Sequence, residues 1–163
     1  MEQIFFQTPI GIVQISGTKN KGISSIKKVE NIGISDENCQ YLEDAKIQLL
    51  EYFDGKRKSF DLQLDYGDAS AFQKSVWNIL LSIPYGKTTS YSEIANKINN
   101  PKSVRAVGLA NRQNRIAIVV PCHRVIGKGG DLTGYFYGLE TKKQLLRLEN
   151  PEKYAIQSNL SFE

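Results

Sequence analysis

Residues 90–112 read SYSEIANKINNPKSVRAVGLANR, and the fold turns on how this stretch is parsed. Ser90-Tyr91-Ser92-Glu93 has the form of a capping box, in which the serine hydroxyl serves an orphan amide and the carboxylate reaches back. Tyr91, Ile94, Ala95 and Ile98 then fall on one apolar helical face. Asn99-Asn100 breaks this helix, and Pro101 suits the first turn of a second one with Asn100 as its cap. The second helix turns Val104 and Val107 to a core, while Arg105, Gly108, Leu109 and Arg112 share a different face at spacings of three, four and seven. A short helix, a break and a basic second helix form the pattern of a helix-turn-helix, and equally of an ordinary helical hairpin. Gly108 favours the former. Without a side chain between two arginines, the helix can approach a phosphate backbone or groove floor closely.

Upstream, Ser70 can cap a helix with Phe72, Val76, Ile79, Leu80 and Ile83 on its apolar face and Trp77 at the edge, ended by Pro84-Tyr85-Gly86. The run Asp65-Tyr66-Gly67-Asp68-Ala69-Ser70 marks a domain boundary. Before it lies a sheet-and-helix half. Ile4-Phe5-Phe6 and residues 10–15 flank a Thr-Pro-Ile-Gly turn and predict a hairpin, with residues 23–29 as a further strand. Leu42, Ala45, Leu49, Leu50 and Phe53 repeat at helical spacing, with Gly55 at the C-cap. Phe60, Leu62 and Leu64 alternate with polar residues as a half-buried strand would. The expected organisation is a scaffold over residues 1–66, a functional domain over 70–150 and a tail over 151–163.

Downstream, residues 116–120 (IAIVV) read as a short buried strand running into Pro121-Cys122-His123-Arg124-Val125 and then a loop with glycines at 127, 129, 130, 134 and 138. That glycine spacing fits neither a phosphate-cradling loop nor a dinucleotide fingerprint. A nucleophilic cysteine needs thiolate character, which a base or a cationic neighbour would supply. Adjacent residues in extended chain point apart, so the Cys-His dipeptide is compatible with a buried, inert thiol beside a surface histidine. Its setting favours a reactive centre: His123 is the only histidine in the chain, and the pair leaves a buried segment for a glycine loop.

The chain has 163 residues, enough for one ordinary domain or two small ones, and its 40% hydrophobic and 23% charged composition is that of a folded protein. The longest apolar run is residues 116–120, too short to span a membrane, and the opening MEQIFF has no basic start or long apolar core, so an intracellular, cytoplasmic location is expected (nuclear in a eukaryote). Cys39, Cys122 and His123 are too few for a four-ligand zinc site, and no metal is expected. Net charge is +4, unevenly spread: residues 84–130 hold eight basic side chains against one acid, Glu93, whereas the rest of the chain is net negative. Such asymmetry suits a polyanion-binding half or a solvated basic surface.

Pro121-Cys122-His123-Arg124-Val125 resembles the active-site signature of the O6-alkylguanine-DNA alkyltransferases, the methylated-DNA–protein-cysteine methyltransferases. The resemblance extends through Phe72-Gln73, Val76-Trp77, Ile83-Pro84-Tyr85-Gly86, Ser90-Tyr91, Arg105-Ala106-Val107-Gly108, Asn111 to Asn114, Gly138-Leu139 and residues 145–149. It covers most of residues 70–150 in order, and Tyr52-Phe53 with Gly55-Lys56-Arg57 resembles the family's N-terminal region. The resemblance implies an α+β protein: a small ribonuclease H-like sheet-plus-helix domain, then a mostly helical, winged helix-turn-helix-like DNA-binding domain. It further implies repair by direct damage reversal, an irreversible and stoichiometric transfer of an alkyl group, mainly methyl, from O6-alkylguanine in duplex DNA to Cys122. The base would be flipped out. The enzyme would be a single-turnover suicide methyltransferase without a cofactor, a monomer with damaged double-stranded DNA as partner and no required protein partner.

By the same resemblance Cys122 is the nucleophile, His123 oriented by Glu149 is the base acting through a water, and Asn114 holds the active-site turn. Tyr91 rotates the adjoining phosphate and helps protonate the leaving base. Arg105, Ala106, Gly108 and Arg112 contact DNA, with Arg105 filling the space of the extruded guanine. Val125, Tyr135, Phe136 and Tyr137 form the substrate pocket, where two bulky aromatics should favour methyl over benzyl adducts. Arg115 departs from the family, standing where proline is frequent. Three rival readings make different demands on Cys122. An alkyltransferase-like lesion sensor would lack the cysteine, a helix-turn-helix regulator would not need it, and a cysteine hydrolase would need an oxyanion hole that the sequence does not reveal.

Overall fold

The computed structural model describes residues 1–154; residues 155–163 of the expected tail lie outside the described residues. The chain forms two compact units, Met1–Ala69 together with Arg115–Val119, and Ser70–Asn114 together with the residues from Val120 onward.

In the first unit, β1 (Glu2–Thr8), β2 (Gly11–Thr18) and β3 (Gly22–Val29) make an antiparallel sheet in the order β1-β2-β3. The register sets Ile4 opposite Ile15 and Phe6 opposite Val13, with Ile15 opposite Ile26 in turn. Two-residue alternation therefore puts these five side chains on one face, and all are buried. Helix α1 (Gln40–Phe53) packs on β1 and β2 with Leu42, Ala45, Leu49 and Tyr52 inward. Gly55, just past the helix, holds φ +74°, the left-handed turn that a glycine allows without strain. Cys39, at the start of α1, donates to Glu2 at 3.0 Å, and Tyr41 donates to the other Glu2 oxygen at 2.8 Å. The Glu2 hydrogen bond, followed by burial, pushes the Cys39 thiol up to about 11, which makes it an inert cysteine.

Two expected strands are absent. Phe60, Leu62 and Leu64 do alternate in burial with exposed Asp61 and Gln63, but only Leu64 bridges β3, through Ile23. The reason is competition for one strand edge: Ile26, further along β3, is bonded to Arg115 O and Ala117 N at 3.0 Å each. Residues 116–120 are buried as expected, yet they form bridges and a turn rather than a strand. Arg115 donates to Asp68 at 3.0 Å and to Tyr66 O at 3.3 Å.

The second unit begins with α2 (Ala71–Leu81), capped by the reciprocal Ser70–Gln73 box. Trp77 is 1% exposed rather than at the helix edge, because its Nε1 reaches Ala110 O at 2.8 Å across the helix pair. Strand β4 (Thr89–Ser90) leads into α3 (Tyr91–Lys97), and α4 (Val104–Arg112) follows. Helices α2 and α3 both pack on α4.

The capping box expected at Ser90 is only half present. Ser90 Oγ accepts from Glu93 N at 3.2 Å, but the Glu93 carboxylate accepts from Thr89 Oγ1 at 2.9 Å, and the Ser90 backbone belongs to a parallel ladder with β5 (Val125–Ile126). Pro101 does not open α4. Asn99 is left-handed at φ +58°, and Ser103 N bonds to Asn100 O at 3.0 Å, so Pro101 occupies a β-turn for which its ring presets φ. Val107 is buried as expected; Val104 is 37% exposed and faces a cleft instead. Helix α5 (Leu139–Glu149) buries Thr141, Lys142, Leu145, Leu146 and Glu149. Among the described residues no helix is long and apolar enough to cross a membrane.

Candidate active site

Cys122 opens a single turn of tight helix, Cys122–Arg124, and the backbone leading to it is folded sharply. Val119 N bonds to Ala117 O at 2.8 Å around Ile118 at φ +72°, a γ-turn of the strained hand. Cys122 N then bonds to Val120 O at 2.8 Å around Pro121 at φ −84° and ψ 64°, the relaxed inverse γ-turn. Asn114 secures this second turn. Its Nδ2 donates to Val120 O at 2.8 Å and to Cys122 Sγ at 3.1 Å.

The sulfur lies at the floor of a cleft of about 420 Å³ within the second unit. Its walls include Tyr91, Val104, Arg105, Gly108, Leu109, Asn111 and Arg112 on one side, and Thr133 to Tyr137 on the other. The exposed face of α4 thus supplies two arginines at the rim of the site that holds the thiol. A Cβ on Gly108 would lie 3.8 Å from the Tyr91 ring, an ordinary contact, so that ring leaves room for a side chain. A hollow of about 440 Å³ in the first unit is lined by Asp44, Glu51, Asp61 and Arg57 and contains no nucleophile.

Burial pushes the Cys122 thiol up, and three neighbours pull it back: hydrogen bonds from Asn114 and Tyr135, and the charge of Lys142. The Tyr135 phenol is itself raised well above its ordinary value by burial and by the cysteine. Tyr137 packs edge-on against Tyr135 and Phe136 with ring centres 5.7 and 5.0 Å away. Phe136 is 71% exposed, so Tyr135 and Tyr137 are the aromatics that shape the wall.

His123 does not face the cleft with its neighbour. It is fully buried, with Nε2 2.6 Å from Glu149 Oε2. Burial alone would raise the Glu149 carboxyl, but His123 and Arg124 outweigh it and hold the group well below the carboxylate range. Arg124 donates to both Glu149 oxygens, at 2.7 and 3.1 Å, and to Ile83 O at 2.7 Å. Gly86 N adds a bond of 3.2 Å. Gly86 sits at φ +78°, a conformation costly for any other residue, and a Cβ there would come 3.1 Å from Glu149 O. With Glu149 anionic on Nε2, the neutral imidazole carries its proton there and keeps its lone pair on Nδ1; burial holds His123 below its ordinary value.

The structure therefore brings Cys122, Asn114, Tyr91, Arg105, Gly108, Arg112, Tyr135, Phe136 and Tyr137 to one cleft. His123 and Glu149 stand behind it, linked to each other. Val125 is buried in β5, with its carbonyl bonded to Lys142 Nζ at 2.7 Å, and Ala106 is exposed on α4 away from the cleft wall. Sequence reasoning missed Lys142, whose Nζ also caps Thr133 O at 3.0 Å and whose burial lowers it to about 8. The signal was available: Lys142 falls in helical register with Leu145, Leu146 and Glu149, on the inward face of α5. Thr133, whose hydroxyl lies 3.1 Å from Tyr91 OH, left no such trace in a glycine-rich loop. Among the described residues no three His, Cys, Asp or Glu side chains converge as a metal site would require.

Comparison with known proteins agrees with this geometry. Residues 71–151 match the 6-O-methylguanine DNA methyltransferase DNA binding domain, and residues 2–66 match the ribonuclease-like domain of the same family. A methylated-DNA--protein-cysteine methyltransferase of Methanosarcina acetivorans is 49% identical over 154 residues, covering 91% of this chain and 98% of the relative. Another, from Mycolicibacterium paratuberculosis, is 46% identical over 147 residues, 87% of this chain and 88% of its own. The crystal structure of Mycobacterium tuberculosis OGT in complex with DNA superposes with a TM-score of 0.85 at 41% identity, covering 93% of this chain and 94% of the other. With both halves matched in order and relatives this similar along nearly their whole length, the chain belongs to the O6-methylguanine DNA methyltransferase family.

Proposed function

We propose that this protein repairs O6-alkylguanine in duplex DNA by moving the alkyl group, chiefly methyl, onto Cys122. The observation that carries the reading is the thiol itself, held by Asn114 at the floor of a cleft whose rim is the basic face of α4. The extruded base enters that cleft while Arg105 occupies its place in the stack and Arg112 neutralises phosphate. Small residues on α4, Ala106 and Gly108, let the helix lie close to the groove, and Tyr91 turns the adjoining phosphate. The pocket is completed by Val125, Tyr135, Phe136 and Tyr137.

His123 Nδ1 takes the thiol proton through a bridging water, with the resulting imidazolium stabilised by Glu149. The sulfur attacks the alkyl carbon: the C–S bond forms as the C–O6 bond breaks, and its electron pair passes to the guanine ring. Tyr91 supplies the proton that the departing base takes up. A thioether has no leaving group comparable to guanine, so each molecule reacts once. The chemistry belongs to residues 70–150 and residues 1–66 serve as scaffold. The reading includes no cofactor, no metal and no required protein partner, with a monomer acting in the cytoplasm.

Intact-protein mass spectrometry after incubation with a duplex containing one O6-methylguanine tests this. One methyl added to the wild type, mapped to Cys122 and absent from Cys122→Ser, is the expected result. Lesion binding with no mass gain under reducing conditions would leave a lesion sensor and remove the transferase.

A further inference from the structure

The rim of the Cys122 cleft differs in character from its floor. Large apolar side chains exposed singly need no explanation, but three line this one cleft: Val104, Leu109, at 55% exposed, and Phe136, at 71%. Leu109 comes from α4, four residues after Arg105 and three before Arg112, so it shares the basic face with both. Phe136 comes from the loop opposite, and its ring is braced. Tyr137 meets it edge-on at 5.0 Å and Tyr135 meets Tyr137 at 5.7 Å, while Tyr135 itself bonds to the Cys122 thiol. A row of aromatics thus runs from the sulfur to the surface. With most of its area in water, Phe136 holds apolar surface that the pocket does not use.

Duplex DNA supplies the matching surface. Along a strand, charged phosphates alternate with deoxyribose rings whose C–H faces carry no charge, so arginines suit the first and apolar side chains the second. Proteins that open a base stack commonly set apolar side chains against it. Resting on the alkyl-transfer reading, we propose that Phe136 and Leu109, from opposite walls, pack on the deoxyribose rings of the lesion strand beside the extruded nucleotide and hold it out. Phe136 then grips the strand as well as closing the pocket. This grip is independent of sequence and of salt, because an apolar contact releases no counterion.

The test separates strand from base and apolar contact from charge. Binding of a duplex containing one O6-methylguanine is measured by fluorescence anisotropy at several salt concentrations, in a Cys122→Ser background so that no transfer intervenes. Phe136→Ala should weaken binding about tenfold and Leu109→Ala about fivefold, the worth of the apolar area each loses. Neither should change the slope of log K against log salt, whereas Arg112→Ala should reduce it by about one. With Cys122 restored, Phe136→Ala should slow transfer from subsaturating duplex about tenfold more than transfer from free O6-methylguanine base, which has no sugar. Unchanged duplex affinity in either variant, a reduced salt slope in either, or equal slowing on duplex and free base would each overturn the proposal. Absence of any mass gain on wild-type Cys122 from the O6-methylguanine duplex would instead overturn the alkyl-transfer reading.

Discussion

Glu149→Gln is the substitution whose consequence the structure defines most sharply. The Glu149 side chain is 1% exposed, and the Arg124 side chain on it is 7% exposed, so neither charge can turn to water when its partner is lost. The carboxylate accepts from His123 Nε2, Arg124 Nε and NH2, and Gly86 N. A neutral glutamine leaves Arg124 as an uncompensated buried cation and turns one of its own donors toward partners that are all donors. Removing one member of a buried pair typically costs about 3–5 kcal/mol. At roughly 2–4 °C per kcal/mol for a chain of this size, Tm should fall by roughly 6–20 °C. Transfer should slow by roughly a hundredfold or more, because the imidazole loses the anion that orients it. Urea titrations give the stability change, with Arg124→Met and the double variant completing a cycle. The double variant should be less destabilised than the sum of the singles by about 2 kcal/mol. A change below about 1 kcal/mol for Glu149→Gln, or strict additivity in the cycle, would refute the assignment of Glu149 as the buried counter-ion.

Acid should unfold the protein early. Burial keeps His123 below its ordinary value of 6.5, so the unfolded chain binds that proton first and stability falls as pH drops through about 6.5. Glu149, held low in the fold, adds a second loss below its ordinary 4.5. A urea midpoint that stays level from about pH 7.5 to about pH 5 would contradict this. Lys142→Met removes a cation that favours the Cys122 thiolate, so the rise of thiol reactivity with pH should move to higher pH, measured by iodoacetamide labelling. An unmoved profile would show that Lys142 acts only on the Val125 and Thr133 carbonyls. Wild type should transfer methyl faster than benzyl, and Tyr137→Gly should shift that ratio toward benzyl by about tenfold while Phe136→Ser shifts it less. Matched single-turnover rates on the two adducts would exclude a narrow pocket.

Much of the local structure was legible in residue spacing. The hairpin, α1, the Ser70 cap and the basic face of α4 follow from periods of two and 3.6 with capping residues, because each depends on neighbours within a few positions. The failures have a common cause. Leu62 and Leu64 alternate as a strand would, but whether a segment becomes a strand depends on a free partner edge, and β3 bonds residues 63–65 only at Ile23 before Ile26 takes residues 115–117. Pro101 is compatible with a helix start and with a β-turn, and Ser103 N reaching Asn100 O decides between them. Trp77 reads as peripheral on its own helix and is central once α4 packs on it.

The reactive centre divides in the same way. The sequence by itself marked the cysteine, the lone histidine, the arginines around Gly108 and the family pattern that joins them, since these lie in short contiguous motifs. Tertiary structure alone decided that Cys122 and His123 part company, the sulfur toward the cleft and the imidazole inward to a carboxylate 26 residues away. It also placed Arg124 on that carboxylate, Lys142 on the Val125 carbonyl and Asn111 on the Cys122 carbonyl. A buried charge or acceptor acquires its role from whichever groups packing brings within hydrogen-bond reach, and those groups come from helices that residue spacing describes only one at a time.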